Sequence, residues 1–206
     1  MLIGVSQRVE YCAKTGEIRD CLDQRWSKLL ADFGHLALPI PNNPEIAQDF
    51  IMKTGIKGIL LTGGNDLSSI VGSVNSSTAR EETETVIISH VQKHGWPILG
   101  VCRGFQAINE FFGGSVSPID GHAAVHHQIF LSNRDFGLTG PITVNSFHNY
   151  ALKQQNLADS FVPFAIASDG TIEGAFHCDL NCMGIMWHPE RGKSDLDKII
   201  LKSVFR

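Results

Sequence analysis

A cysteine stands between two glycines at residues 100–104, in the order Gly-Val-Cys-Arg-Gly. This spacing is typical of a nucleophile elbow, a sharp strand-to-helix turn whose flanking glycines avoid a steric clash. Such a turn exposes the Cys102 sulfur at a helix N-terminus, where the partial positive charge favours the thiolate. We therefore predict that Cys102 is a nucleophile. The alternative is a buried cysteine in an ordinary glycine turn.

A thiol nucleophile needs a base, and the base needs a group that orients it. His188-Pro189-Glu190 can supply both. Proline favours extended backbone at the residue before it, and residues two apart in an extended chain point the same way. Glu190 can then hold one ring nitrogen of His188 while the other faces Cys102. His177 and Asp179 form a rival pair at a predicted hairpin tip, and we favour His188 because it follows a strand, as Cys102 does.

Acyl transfer also needs hydrogen-bond donors for the oxyanion that develops in the transition state. The backbone N–H of Arg103, directly after the cysteine, is one candidate. The backbone N–H of Gly64 is a second, because the missing side chain lets the backbone approach a substrate closely. By itself, the segment Gly63-Gly64-Asn65-Asp66 is equally consistent with a plain turn.

Short apolar runs alternate with longer helical patterns, which predicts an α/β fold with a mostly parallel central sheet flanked by helices and a strand-rich second half. Nothing in the sequence resembles a linker, so we predict one domain over residues 1–206. The predicted strands are Leu2–Val5, Leu36–Pro39, Gly58–Thr62, Pro97–Val101, His127–Leu131, Pro141–Val144, Phe161–Ala167, Ile172–His177 and Met183–Trp187. The predicted helices are Asp20–Phe33, Pro44–Thr54, Thr78–Gly95, Arg103–Phe112 and Asp195–Phe205.

Four sequence marks directly follow predicted strands. They are Ser6-Gln7-Arg8, Gly63-Gly64, Cys102 and His188-Pro189-Glu190. Ligands of parallel sheets bind outside the carboxyl ends of the strands. If these strands share one sheet, all four marks meet along a single edge and form one site.

The composition excludes several other classes of protein. The chain has 206 residues, with 17 basic and 21 acidic side chains and a net charge of −4, which disfavours a general nucleic-acid binder. It has no apolar run long enough for a membrane span, and its start does not resemble a signal peptide, so we expect a cytoplasmic protein. Five cysteines without a Cys-x-x-Cys pair argue against a disulfide framework or a zinc ribbon.

Four segments resemble the class I glutamine amidotransferase superfamily, and most closely its γ-glutamyl hydrolase branch, the peptidase C26-like enzymes. They are Leu61–Asp66, Gly100–Gln106, Val144–His148 and Trp187–Glu190. The resemblance extends over nearly the whole chain in the expected order. It implies a hydrolase that cleaves a γ-glutamyl amide through a thioester and releases glutamate, with no metal or organic cofactor.

The resemblance also implies roles for individual residues. Cys102, His188 and Glu190 would form the catalytic triad, and the backbone N–H groups of Gly64 and Arg103 the oxyanion hole. Gln106 and the backbone of Ser146 and Phe147 would hold the glutamyl group, and we expect His148 in the pocket wall. Two features depart from the family pattern: Asn65 stands where many relatives have proline, and the chain is shorter than many γ-glutamyl hydrolases.

The leaving group is less clearly implied. Substrates in the family include γ-glutamyl-aminobutyrate, γ-glutamyl polyamines, folate polyglutamates and the γ-glutamyl-CDP-amidate of capsule phosphoramidate synthesis. The segment Ile3–Val9 most resembles the last group, and Arg8 and Arg103 at the pocket edge would suit its phosphates. Asp20 and Asp23 would instead suit an amine, and Arg8 can equally form a structural ion pair.

Two other functions remain open: a glutaminase subunit that passes ammonia to a separate synthetase, and an inactive binding protein. We expect a small-molecule substrate, with no nucleic-acid or membrane partner, and leave the oligomeric state open. No metal ligand is predicted. Cys178 and Cys182 lack a second pair nearby. His122 and His126 could bind metal only on a helix, so we expect them and His127 to lie in a solvated loop or to support the site.

Overall fold

The computed structural model describes residues 1–132 and 136–206. In chain order its elements are β1 (Leu2–Val5), β2 (Arg8–Cys12), β3 (Glu17–Cys21), α1 (Gln24–Asp32), β4 (Leu36–Pro39), α2 (Pro44–Lys53), β5 (Gly58–Leu61), α3 (Thr78–His94), β6 (Ile98–Val101), α4 (Arg103–Phe111), β7 (Ser117–Pro118), β8 (Ala123–Leu131), β9 (Ile142–Phe147), β10 (Tyr150–Ala151), β11 (Phe161–Ala167), β12 (Ile172–His177), β13 (Cys182–Ile185) and α5 (Asp195–Val204). A turn of 3₁₀ helix covers Gln154–Asn156.

The main sheet has nine strands in the order β4-β1-β5-β6-β13-β12-β11-β8-β9. The first five are parallel to their neighbours, and the last four add antiparallel pairs. The α/β fold with a strand-rich second half is therefore confirmed. Buried side chains lie on both faces of the sheet, where α1 and α5 cover one face and α2, α3 and α4 the other.

The largest difference from the sequence prediction lies between β1 and α1. A hairpin of β2 and β3 occupies residues assigned in part to the predicted helix Asp20–Phe33. The helix begins only at Gln24, because the Asp23 carboxylate accepts a hydrogen bond from the backbone N–H of Arg25 and caps it. Tyr11 and Ile18 in the hairpin are largely exposed, so the hairpin shows no apolar face that the sequence pattern could reveal.

The start of α3 also differs from the prediction. Ser77, not Thr78, is the N-cap, and its side chain accepts a hydrogen bond from the backbone N–H of Arg80. The Glu81 carboxylate does not turn back onto the cap but accepts hydrogen bonds from the backbone and hydroxyl of Ser68. The helix does stop at Gly95, which adopts a left-handed φ of 66°.

Several strand bounds are as predicted, namely those of β1, β4, β11 and β12, whereas β8 and β9 are longer than predicted. Polar residues extend both of these strands because the two pair with each other, from Ala123 against Phe147 to Ile129 against Ile142. Among the described residues, no helix is long and apolar enough to cross a membrane.

Two glycines in neighbouring strands form the surface on which α4 packs. Gly184 in β13 pairs with Gly100 in β6. A Cβ atom on Gly184 would lie 1.9 Å from the Phe105 ring, and one on Gly100 would lie 2.7 Å from Ile108 Cδ1. Because both side chains are fully buried, α4 approaches the sheet this closely only over glycine.

We predict that Gly184→Ala lowers the free energy of unfolding by about 1–3 kcal/mol, because the added methyl group overpacks the Phe105 site. Urea denaturation measures this. Gly192→Ala is the matched control, since its nearest contact would be an ordinary 3.7 Å. Equal stability of Gly184→Ala and the unmodified chain would show that α4 does not depend on this close approach.

Candidate active site

The four sequence marks meet at one edge of the sheet. β1, β5, β6 and β13 are consecutive in the sheet order, so the segments that follow them lie side by side. They border a cavity of about 150 Å³. Its lining consists of Arg8, Cys21, Leu22, Asp23, Trp26, Thr62, Gly63, Gly64, Cys102, Phe147, His188, Glu190 and Arg191.

Cys102 lies on a strained turn between β6 and α4. Its φ of 52° is positive, a conformation that costs energy for a residue with a side chain and is typical of elbow nucleophiles. A Cβ on Gly104 would lie 2.2 Å from the Leu61 carbonyl oxygen, so glycine is required there. The Cys102 N–H donates to the Ile185 carbonyl at 2.7 Å, which ties the turn to β13. The predicted strained turn is thus present, but Cys102 is buried, with 6% of its surface exposed, and it is reached through the cavity rather than from the open surface.

His188 is held at both its ring and its backbone. The ring Nδ1 lies 2.7 Å from Glu190 Oε1. The Asn145 side chain accepts from the His188 N–H and donates to the His188 carbonyl, each at 2.9 Å. The Phe147 ring stands edge-on to the imidazole. These contacts orient the ring with Nδ1 toward the carboxylate.

Cys102 and His188 flank the same glycine. A Cβ on Gly63 would lie 3.5 Å from both the Cys102 Cβ and the His188 Nε2, and only 2.8 Å from the His188 Cε1. Burial, the largest contribution, lowers the pKa of His188. Hydrogen bonding and charge interactions with Cys102 and Glu190 outweigh it and raise that pKa to about 9. The imidazole is therefore set between a thiol and a carboxylate.

Arg80 organises the loop after β5, and the sequence analysis missed it. Its buried guanidinium donates to the carbonyl oxygens of Thr62, Gly63 and Gly64 and pairs with Glu84 at 2.9 Å. Gly64 has a positive φ of 85°. With its carbonyls engaged by Arg80, this loop keeps a fixed conformation beside Cys102. An arginine inside a helix pattern gives no sequence signal for such a role.

Asn65 now has a structural explanation for standing where many relatives have proline. Its side chain accepts from the Val9 N–H at 2.8 Å and donates to the Val9 carbonyl at 2.9 Å. Its own φ is 55°, which proline cannot adopt. The residue thereby fastens the glycine loop to the β2–β3 hairpin.

The Arg103 side chain corrects one expectation. It does not lie at the pocket edge: it is buried, forms an ion pair with Glu84, and lies 3.7 Å from Glu81. These acids belong to α3, and the Arg103 side chain is not among those that line the cavity. The expectation fails because residues of a helix first turn point in different directions, and only the Arg103 backbone stays at the elbow.

Of the residues expected to bind the glutamyl group, the structure brings Phe147 to the cavity wall. The other three are buried among the neighbouring elements and are not in the described lining. Gln106 Nε2 donates to the Tyr150 carbonyl, and Ser146 Oγ donates to the His122 carbonyl. The His148 Nδ1 lies 3.0 Å from the Tyr150 carbonyl oxygen, and this ring, expected in the pocket wall, is not in the described lining. The role expected of Ser146 belongs to its backbone and stays a prediction.

Charged side chains surround the mouth of the cavity. Arg8 packs on Gly64 and forms a half-exposed ion pair with Glu10 at 2.6 Å. Arg191, which the sequence analysis missed, lies 4.2 Å from the centre of the Phe147 ring. Asp23 lines the cavity, but Arg25 binds its carboxylate and lowers its pKa to about 2. Asp20 is held by Asn42.

The rival histidines lie elsewhere. His177 Nδ1 accepts from the backbone N–H groups of Asp179 and Leu180 and its ring packs on Phe112, so it closes a turn. His126 is exposed, whereas His122 is buried. Of the two roles expected for His122, its burial excludes the solvated loop and leaves the supporting role; the residue lies directly before β8.

The chain is similar to known hydrolases over its full length. A model of the family Peptidase C26 matches residues 1–190. A gamma-glutamyl-CDP-amidate hydrolase of Campylobacter jejuni is 37% identical, over 100% of this chain and 98% of that protein. A glutamine-hydrolyzing GMP synthase subunit of Methanococcus maripaludis is 26% identical over 80% and 79%. A glutamine amidotransferase structure from Thermotoga maritima has a TM-score of 0.68 at 12% identity, over 98% and 81%, and shares the fold.

We predict that the Cys102→Ala and Glu190→Gln substitutions each lower the pKa of His188, because both partners raise it. NMR titration of chains with ¹⁵N-labelled histidine measures this pKa, which we expect near 9 in the unmodified protein. His177, whose pKa is lowered by burial, is the internal control and should titrate unchanged. A His188 pKa that neither substitution moves would disprove the coupling.

Proposed function

The chain belongs to the peptidase C26 family, a family of cysteine-type hydrolases, and we propose that it cleaves a γ-glutamyl amide bond through Cys102, His188 and Glu190. One observation carries the proposal above the others. The elbow cysteine and a histidine bound to a carboxylate at 2.7 Å border the same small cavity. This is the set of a nucleophile, a base and an orienting group that acyl transfer needs.

The first half of the reaction forms a thioester. The Cys102 thiolate attacks the γ-carbonyl carbon, and the negative charge that moves onto the carbonyl oxygen is stabilised by the N–H groups of Gly64 and Arg103. An imidazole with a pKa of about 9 carries a proton at neutral pH. His188 gives this proton to the amide nitrogen as the carbon–nitrogen bond breaks, and the amine leaves.

The second half consumes water. His188, now neutral, removes a proton from a water molecule that attacks the thioester carbonyl. The carbon–sulfur bond breaks, glutamate leaves, and the thiolate and the imidazolium are restored. The Glu190 carboxylate holds the ring through Nδ1 and stabilises the imidazolium. No step needs a group beyond the chain, the substrate and water.

We propose γ-glutamyl-CDP-amidate as the substrate, which the full-length similarity to the Campylobacter jejuni hydrolase supports. The cavity of about 150 Å³ is smaller than the ~300–1,000 Å³ of typical ligand sites. It therefore suits the glutamyl group, while the diphosphate extends past the mouth. Arg8 and Arg191 at that mouth can pair with phosphate oxygens. The reaction then yields glutamate and a cytidine diphosphoramidate, a step suited to capsule phosphoramidate synthesis.

The second candidate is a glutaminase that supplies ammonia to a separate synthetase. The 26% identity to the glutamine-hydrolyzing GMP synthase protein of Methanococcus maripaludis favours it over an inactive binding protein. The two activities differ in their preferred substrate. A glutaminase cleaves glutamine and depends on its partner, whereas the proposed hydrolase acts alone and prefers the larger amide.

We predict that Cys102→Ala lowers kcat for γ-glutamyl-CDP-amidate by about 10⁴-fold or more, because it removes the nucleophile. Glutamate release is the measurement, with unchanged circular dichroism as the evidence of folding. Cys178→Ala, at an exposed cysteine, is the matched control and should keep full activity. Substantial turnover by Cys102→Ala would rule out the mechanism.

We predict that Arg8→Ala and Arg191→Ala each raise KM for γ-glutamyl-CDP-amidate by about 10–100-fold, the effect of losing a charge-assisted hydrogen bond. KM for glutamine, which has no phosphate, should change much less. Arg19→Ala in the exposed part of the hairpin is the control for overall charge. Equal changes for both substrates would count against phosphate recognition while leaving the amide chemistry intact.

A further inference from the structure

A second group of polar side chains is buried apart from the Cys102 cavity. His122 lies just before β8, His127 within it, and His148 directly after β9, while Glu173 lies on β12. Glu173 has no exposed surface, and only 4–5% of His122 and His148 is exposed. None of the four is in the described cavity lining. Burying so many ionisable groups together is costly unless something satisfies them.

In His122 and His148, the ring nitrogen that faces away from Glu173 already has a hydrogen-bond partner. His122 Nε2 lies 2.9 Å from Asp169 Oδ2, and the His148 Nδ1 lies 3.0 Å from the Tyr150 carbonyl oxygen. A carbonyl can only accept, so Nδ1 of His148 carries the hydrogen. The opposite nitrogens, His122 Nδ1 and His148 Nε2, point at Glu173 and have no hydrogen-bond partner.

The spacing of the inner atoms does not fit hydrogen bonds. Glu173 Oε1 is 3.5 Å from His122 Nδ1 and 3.6 Å from His148 Nε2, beyond the usual N–H···O distance of about 2.9–3.0 Å. Two ligand atoms at about 2.0–2.1 Å from one tetrahedral zinc ion are about 3.3–3.4 Å apart. The three donor atoms all lie within 4.8 Å of one another, so one ion can reach all three after small side-chain shifts.

The electrostatics of the group also favour a cation. When His122 and His148 carry hydrogens only on the nitrogens that face away from Glu173, their other nitrogens direct lone pairs at its carboxylate. Either a second proton on the ring or a cation relieves this repulsion. His127 Nε2 lies 3.4 Å from the other carboxylate oxygen, and neither atom has a hydrogen-bond partner. A divalent ion bound by His122, His148 and Glu173 would satisfy the two ring nitrogens that face the carboxylate.

We propose that His122, His148 and Glu173 bind a zinc ion, with water in the fourth position. Imidazole and carboxylate donors suit Zn²⁺ in tetrahedral geometry. Asp169 and the Tyr150 carbonyl are the outer partners that hold ligating histidines in the correct tautomer. The Asp169 and His127 side chains are partly exposed, at 42% and 15%, and provide a way in.

The zinc ion fastens the β8–β9 hairpin to β12. That hairpin is next to the Cys102 site, because Ser146 donates to the His122 carbonyl and Tyr150 accepts from Gln106 as well as His148. The role is structural, and it does not depend on the proposed reaction. The sequence analysis predicted no metal because these three residues come from three separate segments.

The first experiment measures metal in the full-length Cys102→Ala chain, which removes the thiol as a competing ligand. After incubation with zinc and gel filtration, we expect one zinc ion per chain by elemental analysis. Chelation should lower Tm, and zinc should restore it. Cobalt in place of zinc should give the strong visible bands of a tetrahedral site.

Asp169→Asn is the most informative variant, because it changes which nitrogen of His122 carries the hydrogen. Thr171 donates to Oδ1 from both its N–H and its hydroxyl, so the new amide keeps its oxygen there and turns its NH₂ toward His122. The hydrogen on the His122 ring then moves from Nε2 to Nδ1, and a protonated Nδ1 can no longer bind metal. We expect zinc affinity to fall by about 10–100-fold, and Glu173→Gln to lower it further. His126→Ala, at the exposed neighbour of His127, should have no effect.

Three results would overturn the proposal. The folded chain could retain no zinc; Asp169→Asn could bind zinc as tightly as the His126→Ala control; or the zinc-dependent gain in Tm could persist in Glu173→Gln. Circular dichroism of each variant separates loss of zinc from loss of fold.

Discussion

Helix α4 packs unusually close to the ends of β5, β6 and β13, and the site depends on this close approach. Gly104 lies against the Leu61 carbonyl, and Gly184 lies under the Phe105 ring. A side chain at either position would push the helix outward and carry the Cys102 turn with it. Gly63 also lies close to the His188 ring, since a Cβ there would be 2.8 Å from Cε1. The thiol and the imidazole therefore meet because glycines remove the atoms that would separate them.

Buried charge is tolerated at this edge because the charged groups lie beside groups of opposite charge. Arg80 lies between Glu84 and the carbonyls of the glycine loop, and Arg103 pairs with the same Glu84. His188 gains more from Glu190 and Cys102 than it loses by burial, so its pKa rises to about 9. The same groups thus fix the shape of the site and set its protonation at neutral pH.

Much of the fold and the site could be predicted from the sequence, because strands buried in a parallel sheet leave short apolar runs and their ends carry Cys102 and His188. The β2–β3 hairpin could not, since Tyr11 and Ile18 are exposed and produce no alternating pattern. Arg80, Asn145 and Arg191 act through contacts with residues distant in the chain, which no local motif records. The Arg103 side chain was misplaced because a helix first turn spreads neighbouring residues over different faces. The roles in catalysis stay a prediction.

The most direct test of the central claim is rapid acid quenching of the protein with γ-glutamyl-CDP-amidate, followed by mass spectrometry of the peptides. If Cys102 is the nucleophile, its peptide carries a γ-glutamyl group during turnover. The rate at which this adduct forms is then at least as high as the rate of glutamate release. Turnover without any adduct on Cys102, or with the adduct on another residue, would contradict that claim.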